Sequence, residues 1–203
     1  NVLKATNAWT MLITDEALLA GLNEDTKNIL KENAAKKGVE GWMLNLKPTT
    51  YIPVMQDLDN RDIRRELYTA YNTRCIGGEF DNTAIIVEIV NTRLALANLF
   101  GKKNYAEKAL YNRMAETPEN VYSLLNQLRD AYMPAAKAEA QELQDYATAH
   151  GLYATLQAWD WNYYSKKLKQ EKYSISDDDL RPYFELENVK KGVFGLAERL
   201  YGL

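Results

Sequence analysis

The chain has 203 residues, of which 46% are hydrophobic and 26% are charged, with 25 Lys and Arg against 28 Asp and Glu. This length and composition are typical of one folded domain, and a net charge of −3 gives no electrostatic footprint for nucleic acid. No run of about 18 apolar residues is present, so we expect no membrane partner. The chain begins at Asn1 instead of Met, which we interpret as a trimmed piece of a longer protein.

The chain contains a single cysteine, Cys75, and a single histidine, His150. One cysteine cannot form an internal disulfide, so no disulfide framework holds this chain together. One histidine and one cysteine cannot build a zinc cluster, and the zinc-protease helix motif H-E-x-x-H needs two histidines. These two counts exclude the common metal-site signatures from the sequence.

The first 47 residues predict short elements. Residues 9–13 and 42–46 are short and apolar, and the second run is bounded by glycine and proline, so we predict two strands paired as a small ribbon. A short helical turn is predicted to start near Thr14. A longer helix starts after Asn23, which precedes acidic residues, and it ends at Gly38.

From Pro48 onward the pattern is helical, and we predict an all-α fold with this one ribbon, forming a single helical domain over residues 1–203. The run that follows Asp81 carries apolar residues on several faces, which predicts the buried centre of the fold. Pro134 is expected to kink the longest helix. The predicted helices cover residues 49–58, 59–74, 81–100, 104–115, 117–150, 159–171, a short segment after Ser176, and 186–201.

Two residues could carry chemistry but have a simpler structural interpretation. His150 stands at the end of the longest predicted helix, just before Gly151, where it suits a helix-end cap better than a catalytic role. Cys75 lies at the C-terminal end of a predicted helix, whereas reactive cysteines usually lie at helix N-termini, so a structural thiol is favoured.

Acidic and basic clusters are also better explained by helix structure. Asp160 and Asp177 to Asp179 stand at predicted helix starts, where acids act as caps, although paired carboxylates could also serve general acid–base chemistry. Basic residues lie beside Trp and Tyr near residue 164, a pattern that can bind single-stranded nucleic acid. With acids nearby and a negative net charge, a solvated lysine face is favoured. These basic residues are Lys166, Lys167, Lys169 and Lys172.

Blocks of sequence along the chain resemble one enzyme family. The final part reads Trp159-Asp160-Trp161-Asn162-Tyr163-Tyr164, then Leu180-Arg181-Pro182-Tyr183-Phe184-Glu185-Leu186, then Arg199-Leu200-Tyr201-Gly202-Leu203. Earlier blocks are Trp42-Met43-Leu44-Asn45-Leu46, Asn60-Arg61-Asp62-Ile63-Arg64-Arg65-Glu66-Leu67-Tyr68, Gly77-Gly78-Glu79-Phe80-Asp81-Asn82 and Ala115-Glu116-Thr117-Pro118-Glu119. Together they resemble the thimet-oligopeptidase-like zinc metallopeptidases, which include oligopeptidase A, neurolysin and the bacterial peptidyl-dipeptidases. Two of these segments resemble the peptidyl-dipeptidase branch most: Tyr183-Phe184-Glu185-Leu186 and Arg199-Leu200-Tyr201-Gly202-Leu203.

The resemblance implies a mostly helical zinc peptidase with a deep channel that admits short peptides. In that family the H-E-x-x-H helix, the glutamate ligand and the tyrosines of the active site lie beyond the point where this chain stops. The resemblance therefore implies that this chain has no catalytic, cofactor-binding or metal-ligating residue of its own, and that the zinc belongs to the parent enzyme.

We therefore expect a non-catalytic segment that forms part of the wall of the substrate channel. Its expected partners are the remaining segments of the parent peptidase and, in the parent, short peptides, with a cytoplasmic location. The alternative is a stand-alone helical module that binds a peptide or a partner helix in a groove lined by Tyr and Trp side chains; the chain has 14 tyrosines.

Overall fold

The computed structural model describes residues 1–174 and 177–202, and it is mainly helical with one two-stranded ribbon, as predicted. Single 3₁₀ turns lie at Glu16–Leu19 and Arg181–Phe184. The strands are β1 (Thr10–Ile13) and β2 (Trp42–Asn45). The helices are α1 (Val2–Ala8), α2 (Glu24–Ala35), α3 (Pro48–Asp57), α4 (Arg61–Asn72), α5 (Thr83–Leu99), α6 (Tyr105–Leu110), α7 (Pro118–Ala149), α8 (Trp161–Tyr173), α9 (Asp177–Leu180) and α10 (Leu186–Tyr201).

The predicted ribbon is confirmed. Strands β1 and β2 pair antiparallel, with Thr10 opposite Asn45 and Ile13 opposite Trp42. Helices α2 and α3 pack against β2, and α3 packs against α4. The buried core lies where these elements meet, and its members are aliphatic or thioether side chains: Ile13, Leu19, Leu22, Leu30, Leu44, Leu46, Val54, Met55, Leu58 and Leu67.

The predicted helix starts are confirmed by their caps. The side chains of Asn23, Asn60 and Thr117 each accept a hydrogen bond from the backbone N–H three residues later, at 2.9, 3.1 and 3.2 Å. Such caps satisfy N–H groups that have no partner within the helix. The sequence therefore predicts where these helices start, because each capping residue bonds to a residue only three positions away.

Among the predicted helices, α6 departs furthest from its predicted bounds. Helix α6 ends at Leu110, five residues before the predicted end at Ala115. Residues 111–116 form turns instead, and Glu116 adopts a left-handed backbone with φ of 60°. Helix α7 runs unbroken past Pro134, because a proline removes only one N–H from a ladder that the other residues continue. The kink itself stays a prediction.

The prediction that α5 is the buried centre is wrong for this chain. Within α5 only Ala97 is buried, whereas Ile86 and Val90 are each 58% exposed and Leu99 is 84% exposed. The sequence pattern shows that α5 is apolar on several sides, but it does not show which elements surround the helix. Here the core forms around the ribbon and α2 to α4, and α6 is the main neighbour of α5.

The chain divides into two compact units, residues 1–164 and 165–203. The first unit contains the core and the ribbon. In the second unit α10 has the predicted bounds, and its apolar row is exposed: Val189, Val193, Leu196 and Leu200. The expectation of a single domain over residues 1–203 stays a prediction.

The part of the chain that the structure describes contains no helix long and apolar enough to cross a membrane.

Candidate functional site

The most completely bonded polar cluster of the first unit surrounds Asp160. This carboxylate has no exposed surface, and both of its oxygens are engaged by arginines of α4. Arg61 donates from Nη2 to Oδ2 at 2.8 Å and from Nε to Oδ1 at 3.0 Å. Arg64 donates from Nη2 to Oδ1 at 3.2 Å, and the backbone N–H of Gln157 donates to Oδ2 at 3.0 Å.

Arg64 is also buried, with 1% of its surface exposed, and its guanidinium joins three parts of the chain. Its Nη1 donates to the carbonyl oxygens of Leu58 at 2.6 Å and Asp59 at 3.0 Å, and its Nε donates to the Trp159 carbonyl at 3.3 Å. A buried guanidinium is costly unless its N–H groups find acceptors. Here the end of α3, the start of α4 and the residues before α8 supply them.

Aromatic side chains close this cluster. The Arg64 guanidinium lies 4.0 Å from the ring centroid of Tyr163, and the Tyr163 hydroxyl donates to Asp59 Oδ1 at 2.6 Å. Arg61 lies over the ring of Trp159 at 5.8 Å. Cation–π contacts of this kind stabilise a desolvated guanidinium. The cluster therefore fixes α4 against residues 157–163, which are about 95 positions away along the chain.

The electrostatics of Asp160 favour a charged carboxylate whose oxygens are all engaged within the fold. Burial raises the pKa of its carboxyl group, but hydrogen bonds from Arg61, the Gln157 N–H and Arg64 outweigh burial and hold the pKa below its ordinary value. The carboxylate thus stays charged at neutral pH, and its oxygens are occupied by these donors. We conclude that Asp160 has a structural role.

The sequence favoured a helix-start role for Asp160, and the structure adds contacts that this interpretation did not include. Its carbonyl oxygen accepts from the Tyr164 N–H at 3.0 Å, as expected at a helix start. Its carboxylate, however, binds arginines of α4 rather than capping α8. Sequence reasoning missed Arg61 and Arg64 as the partners, and their spacing of three residues on one helix was the only available signal.

His150 caps a helix, as predicted. Its backbone N–H donates to the carbonyls of Tyr146 and Ala147 at the end of α7, and its Nδ1 lies 2.8 Å from the Tyr146 carbonyl oxygen. The imidazole also packs on the Tyr146 ring, with centroids 4.1 Å apart. These contacts account for the residue without a catalytic role.

Cys75 lies in the turn after α4, half-buried, with a left-handed φ of 63°. Its carbonyl oxygen accepts from the Asn82 N–H at 3.0 Å, so its backbone closes the loop that contains Gly77 and Gly78. Both glycines have positive φ, and the pair lies in the turn between α4 and α5. Among the residues described, Cys75 forms no disulfide.

The remaining charged candidates lie at the start of α9 and along α8. Asp177 to Asp179 begin α9, and Ser176, predicted as its cap, lies outside the described residues. The four lysines at 166, 167, 169 and 172 lie on α8. Within residues 1–174 and 177–202, no group of three or more His, Cys, Asp or Glu is arranged to hold a metal ion. The residues described thus do not fit a zinc site.

The comparisons with known proteins decide the family. A sequence model of peptidase family M3 matches residues 54–203. The chain belongs to peptidase family M3. The resemblance seen in the sequence blocks is thereby confirmed.

Curated relatives match the whole chain. Oligopeptidase A of Escherichia coli is 42% identical over 208 residues, which cover all of this chain and 31% of that protein. The organellar oligopeptidase A of Arabidopsis thaliana is 38% identical, with 27% of its length covered. The dipeptidyl carboxypeptidase of Salmonella typhimurium is 33% identical, with 30% covered. The chain therefore spans about a third of the length of these relatives.

The identities correct the expected branch of the family. The sequence from Tyr183 onward favours the peptidyl-dipeptidases. Over its full length, however, the chain is 42% identical to the oligopeptidase A of E. coli and 33% identical to the dipeptidyl carboxypeptidase of S. typhimurium. A few residues at the end of the chain carried that expectation, whereas the identities average over its full length. The oligopeptidases A are the more similar of these relatives.

We predict that Asp160→Asn lowers the free energy of unfolding by about 3 kcal/mol, because it leaves the buried Arg64 without its counter-charge. Urea denaturation of the 203-residue chain measures this. The control is Asp62→Asn, which removes an acid of α4 whose side chain is 82% exposed and pairs with Arg65 at 3.2 Å. We expect the control to cost less than about 1 kcal/mol. Equal losses in the two variants would contradict a structural role for the cluster.

A second prediction concerns pH. The folded pKa of Asp160 lies below its unfolded value of about 3.9, so its contribution to stability is full above about pH 4 and is lost as the pH falls through the folded pKa. The difference in unfolding free energy between the native chain and Asp160→Asn should therefore shrink below about pH 4. A difference that stays constant from neutral pH into this range would rule out the charged cluster as its source.

Proposed function

We propose that this chain is a non-catalytic segment of a zinc-dependent M3 peptidase that hydrolyses short peptides, and that it forms part of the helical wall of the substrate channel. The observation that carries the proposal is the match of the entire chain to about a third of relatives named as oligopeptidases and dipeptidyl carboxypeptidases. The proposed partners are the remaining segments of the parent enzyme and its peptide substrates.

The exposed apolar surface of α5 and α7 supports such partners. In α5, Ile85, Ile86, Val87, Ile89 and Val90 are all more than 40% exposed. The first half of α7 adds a second apolar set: Tyr122, Leu124, Leu125, Leu128, Tyr132 and Met133. Soluble monomers rarely expose so much contiguous apolar surface, because covering it is favourable. A segment that packs against the rest of a larger enzyme has this property.

The donor set limits the chemistry. A catalytic zinc needs three protein ligands and a bound water, and this chain offers one histidine and no described cluster of potential ligands. We therefore place the zinc in other parts of the parent enzyme. The role left for these residues is to shape and support the channel.

We also propose the cytoplasm as the compartment, although one Arabidopsis relative is named as organellar.

The second candidate is a stand-alone helical module that binds a peptide or a partner helix. The exposed aromatic side chains of α7 favour it, because an apolar helical face can accept an amphipathic partner. This candidate requires a monomeric chain with measurable affinity for peptides. The two candidates therefore differ in oligomeric state and in peptide binding.

We predict that the purified chain neither retains zinc in a one-to-one ratio nor cleaves a short fluorogenic peptide. Metal analysis after incubation with zinc and a peptidase assay with and without chelator measure both, and oligopeptidase A of E. coli serves as the positive control. Chelator-sensitive cleavage by the chain alone, or one tightly held zinc ion per chain, would refute its non-catalytic role.

We further predict that the chain binds a hydrophobic dye and self-associates through α5. Ile86→Lys places a charge on the exposed apolar surface and should reduce both dye fluorescence and solution mass. Asn91→Lys is the matched control, because it adds the same charge at an exposed polar position of the same helix. A monomer that binds no dye but binds peptides would instead support the stand-alone module.

A further inference from the structure

The two-stranded ribbon has two outer edges, and the part of the chain that the structure describes covers one of them. Helix α2 packs against β2, and the Asn33 side chain of α2 donates a hydrogen bond to the Met43 carbonyl oxygen at 3.4 Å. Strand β1 packs mainly against β2, and its residues Thr10 and Leu12 are exposed, Leu12 to 43%. The outer edge of β1 is therefore the open edge of the ribbon.

The directions of two carbonyl groups show which backbone groups face this open edge. Along an antiparallel pair, residues that bond to the partner strand alternate with residues whose N–H and C=O point away from it. The Ile13 carbonyl faces β2, because a Cβ atom placed on Gly41 would collide with its oxygen. The Met43 carbonyl points away from β1, towards a side chain of α2. Since Leu12 lies opposite Met43, the N–H and C=O groups of Thr10 and Leu12 point outward.

These outward groups of Thr10 and Leu12 have no hydrogen-bond partner within residues 1–174 and 177–202. Residues 9–14 also contain no charged residue and no proline, which are features that keep an edge strand from pairing with other segments. An edge of this kind is a template for another extended segment, because its donors and acceptors are already aligned. The chemistry of the edge therefore favours an extended, uncharged partner.

The size of the edge favours a segment of the same polypeptide over a separate molecule. The edge offers two N–H and two C=O groups, whereas a stable interface between separate proteins buries about 1,200 Å² or more. A separate chain also loses its translational and rotational freedom on binding, which a segment of the same polypeptide does not. This chain covers 31% of E. coli oligopeptidase A, so most of the polypeptide of such an enzyme lies outside it.

We propose that an extended, uncharged segment from another part of the parent peptidase pairs with the outer edge of β1 and adds a third strand to the ribbon. Its backbone bonds to Thr10 and Leu12, and one of its apolar side chains lies over Leu12. This inference rests on the proposed function, because it requires a parent enzyme. It assigns a partner to the ribbon, which is separate from the apolar surface of α5 and α7.

Hydrogen–deuterium exchange at residue resolution tests this pairing in the full-length enzyme that contains this chain. We expect the amides of Thr10 and Leu12 to exchange about a hundredfold or more slowly in the enzyme than in the 203-residue chain alone, because only the enzyme supplies their acceptors. The amides of Met11 and Ile13, which face β2, are the internal control and should be protected in both proteins. Equally fast exchange of Thr10 and Leu12 in the two proteins would overturn the proposal.

A proline variant separates pairing from simple burial. Leu12→Pro removes the outward N–H and leaves the bonds between β1 and β2 in place, since proline is tolerated on an edge strand where the N–H faces outward. Leu12→Ala is the matched control, because it shortens the same side chain and keeps the N–H. In the enzyme, the Thr10 amide should lose about tenfold or more of its protection in the proline variant only. Equal protection of Thr10 in the two variants would contradict the pairing.

The Met11 and Ile13 amides also show whether the ribbon survives the substitution. If they lose their protection in Leu12→Pro, Thr10→Pro takes its place, with the Leu12 amide as the readout. Proline is compatible with this position because the preceding residue, Trp9, already has an extended backbone with φ of −76° and ψ of 131°.

Two other occupants of the edge would also overturn the proposal. Protection of Thr10 and Leu12 that appears in the isolated chain and rises with its concentration would assign the edge to a second copy. Protection that appears in the enzyme only after addition of a blocked peptide of alternating threonine and valine would assign it to a bound peptide. Zinc content and peptidase activity of the same enzyme test the proposed function separately, so the two failures are distinguishable.

Discussion

One buried charge cluster holds together parts of the first unit that are far apart in sequence. Asp160 cannot be solvated by water, so its negative charge depends on Arg61, Arg64 and the Gln157 N–H. Arg64 in turn depends on carbonyl oxygens of residues 58, 59 and 159. A set of groups that satisfy one another in this way tolerates little change in geometry, because any lost partner leaves a buried charge or donor. The end of α3, the start of α4 and the residues before α8 are thereby fixed together.

The rest of the first unit contrasts with this well-packed region. The ribbon and α2 to α4 bury their apolar side chains against one another, whereas α5 and the first half of α7 leave theirs exposed. Both regions are rich in apolar residues, so the difference lies in the neighbours available to them. A helix that is apolar on several sides needs contacts on several sides, and α6 provides only a part of them. This contrast is what a segment of a larger helical enzyme would show.

The comparisons show the family of the chain, whereas the structure shows what individual polar groups do within the fold. Membership of peptidase family M3 rests on the match to residues 54–203 and on relatives that match the whole chain. Three polar arrangements among the described residues have structural explanations: a buried ion cluster at Asp160, a helix cap at His150 and a closed turn at Cys75.

The sequence by itself determined the ribbon and most of the helices, because each depends on signals within a short stretch, and it determined the family through blocks spread along the chain. Asn23, Asn60 and Thr117 mark helix starts through bonds to residues three positions away, and the alternation of residues 42–46 marks a strand. The tertiary structure alone decided that Asp160 pairs with α4 and that α5 is exposed. Those outcomes depend on which distant segments meet, and a periodic pattern shows which face of a helix is apolar but not what lies against it.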